Sequence, residues 1–386
     1  MLVLHIIIVC YLFLSVLSYG SLMLYYRNGI KNTYRAIDEI NRPSVFISVV
    51  VCFRNEELHL AHLLESLLQQ DYPISQFEIL MYNDASTDGS LAAIKNIQAQ
   101  QKQLNIMCID VLHDRGVNSA KKWAINHAAA HSKANLILVT DADCFLNKKW
   151  LRLMAQCYTE NNAYLIAAPV AVVKRLGWIN TLQNIEMQAL TAVTAGAFGH
   201  KHAIMCSGAN LAFDRRTFLA LNPYKDNLHI SSGDDMFLMM AMQKEHHQKM
   251  YFITHQNAVV YTKAKNKISE YLHQRVRWAS KSKSYSHSFV NLVALLVLNL
   301  NMAVLLSPLM IIVIGWWQGL VLFFCLIGLK YTAESLLLFK YSKALKIRVE
   351  YLKLFLFQYV EAFLTILIAF KSIKGSYIWK GRKQAF

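Results

Sequence analysis

Charge is missing from two long stretches of this 386-residue chain: Met1 to Tyr26 and Ser284 to Leu329 contain no Asp, Glu, Lys or Arg. The first also lacks the basic start and small-residue cleavage site of a secretory signal, so it is expected to remain as a membrane helix. The second is long enough for two spans of about twenty residues each, with a turn expected at Gly315-Trp316-Trp317-Gln318-Gly319. No internal repeat or low-complexity tract is present, and no G-x-G-x-x-G follows the first expected strand, which counts against a dehydrogenase. The seven cysteines (Cys10, Cys52, Cys108, Cys144, Cys157, Cys206, Cys325) show no metal-type spacing and read as reduced, packed thiols. Acids are scarce, 24 against 40 Lys and Arg, for a formal charge of +16. The basic residues crowd beside the hydrophobic segments, where anionic lipid headgroups account for them, so no nucleic-acid partner is expected.

What is present is apolar: 55% of residues, too many for a wholly soluble chain. Arg27, Lys31 and Arg35 follow the first apolar stretch, and the positive-inside rule puts the next segment in the cytoplasm. The expected organisation is an N-terminal membrane anchor over 1–26, a linker over 27–43, a cytoplasmic α/β domain over 44–260, a basic amphipathic interfacial helix over 261–283, membrane helices over 284–370, and a basic tail over 371–386. The loop with Lys340, Lys343, Lys346 and Arg348 reads as cytoplasmic. A third apolar helix, Leu354 to Phe370, contains Gln358 and Glu361 and raises a parity problem. As a full span it would carry the basic tail outside; otherwise it is re-entrant or interfacial.

Within the α/β part, strands are expected at Val45 to Phe53, Phe77 to Tyr82, Ile106 to Leu112 and Leu136 to Thr140. Helical spacing falls between them, at Glu56 to Gln70, from Leu91, and at Ser119 to His131. This alternation predicts a doubly wound parallel sheet, in which ligands bind beyond the strands' carboxyl ends. The run Leu136-Ile137-Leu138-Val139-Thr140 stops at Asp141-Ala142-Asp143. Two carboxylates on one side of an extended segment can hold a hard divalent cation bridged to phosphates. A solvated strand-end turn would read the same way. Asp84, in Asn83-Asp84-Ala85-Ser86-Thr87-Asp88-Gly89-Ser90, ends the second strand, where an acid suits the base or ribose of a nucleotide; an ordinary turn and helix cap is the alternative. Farther on come a long helix at Trp178 to Phe198, a small-residue patch at Cys206-Ser207-Gly208-Ala209-Asn210, and Ser231-Ser232-Gly233-Asp234-Asp235 opening another helix, which the two acids could simply cap.

Together these pieces resemble the membrane-bound inverting family-2 glycosyltransferases, the branch with cellulose, chitin and hyaluronan synthases and ceramide glucosyltransferase. The matching residues are Val49-Val50-Val51-Cys52-Phe53-Arg54-Asn55-Glu56-Glu57, the Asn83 to Ser90 stretch, Asp141-Ala142-Asp143, Gly233-Asp234-Asp235 and Gln274-Arg275-Val276-Arg277-Trp278, in the family's order. The resemblance implies a GT-A nucleotide-sugar-binding domain with a mostly parallel sheet. It implies that Asp84, with Glu56 or Glu57, contacts the base or ribose of a UDP-sugar, and that Asp141 and Asp143 hold Mg2+ or Mn2+ on its diphosphate. Lys121 and Lys122, in the Gly116 to Lys122 segment, would lie near the donor, or form only a solvated helix face. Asp235 would be the catalytic base. Gln274 and Arg277 would face the diphosphate, and Gly208, Asp234 and Trp278 the acceptor.

Gly-Asp-Asp stands where Thr-Glu-Asp is common, and Asn83 where many members carry an Asp. The implied function is inverting transfer of a sugar to a membrane-associated lipid or lipid-linked glycan, at a bacterial inner membrane with the catalytic domain in the cytoplasm. A processive polysaccharide synthase is the alternative. A nucleotidyl- or phosphotransferase would leave Gln274 to Trp278 unexplained, and a dead scaffold would leave the acids unexplained.

Overall fold

A computed structural model describes residues 2–35, 44–111, 119–280, 288–373, 376–379 and 382–385. Part of the expected linker (36–43), residues 116–118 of the lysine-bearing segment, the 281–283 end of the expected interfacial helix and parts of the tail lie outside the described residues.

The elements, in chain order, are α1 (Leu2–Gly29), β1 (Ile47–Phe53), α2 (Glu57–Leu68), β2 (Phe77–Asn83), α3 (Ser90–Gln100), β3 (Ile106–Asp110), α4 (Ala120–His131), β4 (Leu136–Asp141), α5 (Trp150–Asn161), β5 (Leu165–Ala167), β6 (Val170–Val172) and α6 (Trp178–Gly199). Then follow β7 (Leu211–Asp214), α7 (Arg215–Leu221), α8 (Asp234–His246), β8 (Met250–Phe252), β9 (Val260–Thr262), α9 (Ile268–Ala279), α10 (Ser288–Leu306), α11 (Met310–Val313), α12 (Trp316–Leu345), α13 (Tyr351–Ser372), β10 (Ser376–Trp379) and β11 (Arg382–Ala385).

Seven strands form one sheet in the order β3-β2-β1-β4-β7-β5-β8. All run parallel except β7, which is antiparallel to both β4 and β5. The sheet is mostly parallel, as expected, and its one reversal follows from the route of the chain. After α6, residues 203–210 cross the carboxyl ends of the parallel strands, so the chain enters β7 from that side, with Leu211 opposite Val139 and Asp214 opposite Leu136. Alternate residues of the central strands feed two cores: Val50, Ile137 and Val139 join one, and Val49, Val51, Leu136 and Leu138 the other. A sheet covered on both faces needs continuous apolar strands, and these have them.

The first core is shared with the membrane helices, since Tyr19, Met23 and Tyr26 of α1, Leu300 of α10 and Leu337 and Leu338 of α12 belong to it. Three glycines set the crossing of α1 on α6. A Cβ on Gly29 would lie 2.0 Å from the Gly196 carbonyl oxygen, one on Gly196 2.2 Å from that of Tyr26, and one on Gly199 1.9 Å from that of Gly29. Beyond α1, Tyr34 is not free linker: it bridges to Ile253, with its N–H donating to Phe252 O at 2.9 Å.

Among the described residues, four helical segments are long and apolar enough to cross a membrane: His5–Asn32, Ser288–Val313, Trp316–Leu345 and Tyr351–Ser372. Lys340 and Lys343 lie within α12 rather than in a loop, and the expected turn shrinks to the residues just before Trp316. The helix expected from Tyr261 begins only at Ile268, because Val260–Thr262 pairs with β6 as a strand. Helix α13 meets the α/β part of the chain at its start and again in its second half. Glu350, just before it, pairs with Lys174 at 3.4 Å. Leu364 packs with Leu182 and Tyr271, and β10 lies beside α9.

Candidate active site

Strands β1, β2 and β4 end together, with Cys52 opposite Tyr82 on one side and Asp141 on the other. Asp84, one residue past β2, is buried, and its N–H donates to Phe53 O at 2.8 Å. The turn is held open by Arg54, whose Nη1 donates to the carbonyls of Asp84 (2.7 Å) and Ala85 (2.9 Å), the latter at a left-handed φ of 48°. Burial, then the charge of Asp84, pushes the Cys52 thiol up to about 12; Lys121 opposes, and Asp234 and Asp141 add to the rise. One pocket of charge therefore surrounds the end of β1.

Its centre is Lys121, placed by α4, whose first turn is capped by the Ser119 hydroxyl accepting from Lys122 N. Lys121 Nζ donates to Asp141 Oδ1 at 2.6 Å and to Gly208 O at 3.1 Å, and lies 3.5 Å from Asp234 Oδ2. Burial alone would lower the pKa of this amine. Asp141, then Asp234 and Asp235, outweigh that penalty and hold it well above the ordinary lysine value. A Cβ at Gly208 would come within 2.8 Å of Lys121 Nζ and 2.9 Å of Asp234 Oδ2, so a larger residue there would displace the ends of both side chains.

Gly233, at a left-handed φ of 83°, turns the chain into α8 and separates the roles of its two acids. Asp234 is buried against Lys121, and its carbonyl accepts from Tyr224 OH at 2.9 Å. Asp235 is half-buried; its Oδ2 accepts from Gly208 N at 3.1 Å and its Oδ1 from Met236 N at 2.8 Å. Two backbone amides thus fix the orientation of a carboxylate that still reaches the cleft.

Asp143 lies across the strand end, with Thr262 Oγ1 donating to its Oδ2 at 3.4 Å. Burial raises its carboxyl above the usual range, and Asp141 and Glu56 raise it further, with Lys265 and His59 opposing. A cation would relieve this crowding of like charge, and the donors are hard oxygens, so the acids fit a divalent metal. Among the described residues no three His, Cys, Asp or Glu side chains converge into a self-contained cage. That suits an ion held by one or two carboxylates and completed by substrate phosphates.

Residues 48–220 match the profile of Glycosyl transferase family 2, and residues 136–334, half of the chain, that of Glycosyl transferase family group 2. The chain is a family-2 glycosyltransferase. It is 28% identical over 110 residues to a beta-monoglucosyldiacylglycerol synthase of Synechocystis, covering 28% of this chain and 22% of that one. It is 25% identical over 209 residues to the hyaluronan synthase of Streptococcus pyogenes, covering 50% and 46%. The matches thus span from about a fifth to about half of these relatives' length. Among solved structures, a mannosyltransferase from Pyrobaculum calidifontis superposes with a TM-score of 0.58 at 18% identity, covering 95% of this chain and 99% of that one, and shows the GT-A fold.

The glycosyltransferase does not gather every expected residue. Lys122 is fully buried and turned away: its Nζ donates to the carbonyls of Asn227 (2.6 Å) and Ile230 (3.0 Å) and lies 4.3 Å from the Phe237 ring, so it fastens the loop before α8. Glu57 braces the Asn83–Ser90 turn, its Oε2 accepting from Gly89 N at 3.0 Å. Glu56 is on the Asp143 side, with Oε2 2.6 Å from His59 Nδ1. Gln274, Arg277 and Trp278 lie on α9, and among the described residues no hydrogen bond joins them to the Lys121 cluster. The link is indirect, through Thr262 at Asp143 and through Lys265, whose N–H and carbonyl both bond Gln183 at 2.9 Å. Neither Arg54 nor Glu186, the partner of Arg275, stood out beforehand. Arg54 lay inside a matching motif with no task attached, and Glu186 is one acid in mid-helix with no motif around it.

Proposed function

We propose that this glycosyltransferase moves a sugar, with inversion, from a UDP-sugar to a lipid or lipid-linked glycan at the cytoplasmic face of the membrane. The observation that carries the reading is the convergence of Asp141, Lys121, Asp234 and the amide-held Asp235 beyond the ends of β1 and β4. Asp84 lies at the neighbouring strand end, in position for the base or ribose. Asp141 and Asp143 would hold Mg2+ or Mn2+, which when bound supplies counter-charge to the donor diphosphate. The Pyrobaculum mannosyltransferase, which shares the fold, is in complex with GDP-Man and Mn2+.

Asp235 takes the proton of the acceptor hydroxyl as its oxygen attacks the anomeric carbon. The bond from that carbon to the diphosphate oxygen breaks on the opposite face, and the nucleoside diphosphate leaves with the electron pair. Lys121 and Arg277 offer positive charge to that leaving group, Arg through its planar fork. Gly208 and Asp234 line the acceptor side, and Trp278, 37% exposed, offers a flat apolar face to a sugar or headgroup.

Several observations favour a membrane-held acceptor. The first core runs from the catalytic sheet into α1, α10 and α12. Helix α13, touching the catalytic domain at its start and again in its second half, is read as lying along its membrane face, which keeps the basic tail in the cytoplasm and removes the parity problem. The Synechocystis relative is named for a lipid product, whereas the hyaluronan synthase supports a processive polymer as second reading. Membranes containing the protein, given a panel of radiolabelled nucleotide sugars, test both. Label extracted into organic solvent as a short glycolipid is expected; label in a long, solvent-insoluble polymer that glycosidases degrade would replace the first reading with the second.

A further inference from the structure

We propose that Glu186 is a positioning residue for sugar transfer, acting through Arg275 to hold Gln274 and Trp278 in place; this rests on reading α9 as the element beside diphosphate and acceptor. Arg275 occupies a position that Q-x-x-R-W leaves unspecified, and it is 5% exposed. Its Nε donates to both Glu186 oxygens (2.7 and 2.8 Å), and its Nη2 to Oε2 at 2.6 Å. Its Nη1 donates to Gln274 Oε1 at 2.8 Å, fixing the amide of the motif's first residue. The guanidinium carbon lies 4.2 Å from the Trp278 ring centroid and 4.7 Å from that of Tyr271.

The N–H edges of this one cation are therefore occupied and two rings lie against it, and Glu186 sets its plane. Trp278 is the consequence that matters. A large ring over a third exposed has several rotamers open to it, and stacking on a fixed guanidinium selects one. A buried ion pair is weak evidence for stability and better suited to fixing one arrangement. Helix α6 supports α9 at a second point one turn earlier, where Gln183 clamps the backbone of Lys265. Lysine could not replace Arg275, because it has neither the fork for Glu186 nor a flat face for Trp278.

The test uses full-length protein in vesicles of total host lipid extract, with the radiolabelled nucleotide sugar found active in the membrane assay. Glu186→Gln and Arg275→Lys are each expected to raise the amount of lipid extract needed for half-maximal transfer by about tenfold, the order of effect of a displaced positioning group. Binding of radiolabelled UDP and acceptor-free hydrolysis of the donor should fall by clearly less than transfer, because the Lys121 cluster is untouched and Gln274 is only one of the groups facing the diphosphate, and Glu186→Asp should recover part of the loss. If lipid half-saturation is unchanged in Arg275→Lys, or if UDP binding and hydrolysis fall in parallel with transfer, the proposal is overturned. Should Glu186→Gln fail to fold, Arg275→Lys, which keeps a cation beside Glu186, still decides. A wild-type protein that transfers no sugar would overturn the underlying reading, and is seen before any variant is made.

Discussion

Two lysines in this molecule lie among carboxylates, and they differ in what is left open. Lys121 holds Asp141 at 2.6 Å and stands 3.5 Å from Asp234, yet the Asp141 side chain remains 46% exposed. Lys330, on α12, has a side chain with no exposure. It donates to Glu334 (2.8 Å), Glu361 (3.0 Å) and Gln358 (2.9 Å), which matches its three N–H groups. Glu334 in turn accepts from Tyr19 OH and from Gln358 Nε2, both at 2.7 Å. The second cluster encloses its lysine and Glu334 across α1, α12 and α13, with Glu361 partly open at its edge; the first leaves both its lysine and Asp141 open to the cleft. Composition alone would treat them alike, and access separates a site from a lock.

The comparison breaks most sharply at the open cluster. Asp143→Ala should abolish transfer, and EDTA should do the same to the unmodified protein, because the diphosphate loses its main counter-charge. Full activity in either case removes the metal from the reading. Next in size, Lys330→Ala strands the buried Glu334 and takes a partner from the half-buried Glu361, and should cost about 3–5 kcal/mol of stability, followed by unfolding in detergent. Lys121→Ala should cost clearly less, since water reaches Asp141. Equal losses would mean that the two clusters are the same kind of object. Asp235→Asn keeps the shape and one of the two backbone contacts, because its amide NH2 cannot accept from a second N–H, and it cannot take a proton. Transfer should then fall by about a hundredfold or more, at least about 2.7 kcal/mol in the barrier, with UDP binding retained. A collapse in UDP binding instead would recast Asp235 as a binding or capping residue.

Much of this was legible wherever chemistry and local pattern coincide. The apolar run into Asp141-Ala142-Asp143 is a strand end because a doubly covered sheet needs unbroken apolar strands, and the acids can only follow it. Asp84 and the Gly233-Asp234-Asp235 start of α8 were legible for the same local reason. Lys122 was not separable from Lys121 by sequence: adjacent helical residues point about 100° apart, and only the packing of the loop before α8 shows which one is buried. The reversal of β7 depends on the path of residues 203–210 across the sheet, which leaves no periodic trace. Glu186 and Arg275, 89 positions apart, meet only because α6 and α9 pack together. Gln358 and Glu361 were visible as polar residues in an apolar helix, Lys330 and Glu334 did not stand out, and the meeting of the four is tertiary.

The smallest expected effect tests whether α1 belongs to the lock or merely tethers the domain. Tyr19→Phe removes one hydroxyl and leaves the ring in the shared core. Glu334 keeps Lys330 and Gln358, so no charge is stranded and no cavity opens. What is lost is a single hydrogen bond to a charged acceptor, a contribution of about 1.5–3 kcal/mol. Unfolding in detergent should therefore shift measurably, but by less than for Lys330→Ala, while UDP binding and transfer stay unchanged, because the Lys121 cluster makes no contact with Tyr19. If stability does not move, the bond between α1 and α12 contributes nothing and α1 is held by its core packing and its glycine crossing on α6. If transfer falls while stability holds, the closed cluster is coupled to the open one, and the distinction between lock and site would have to be abandoned.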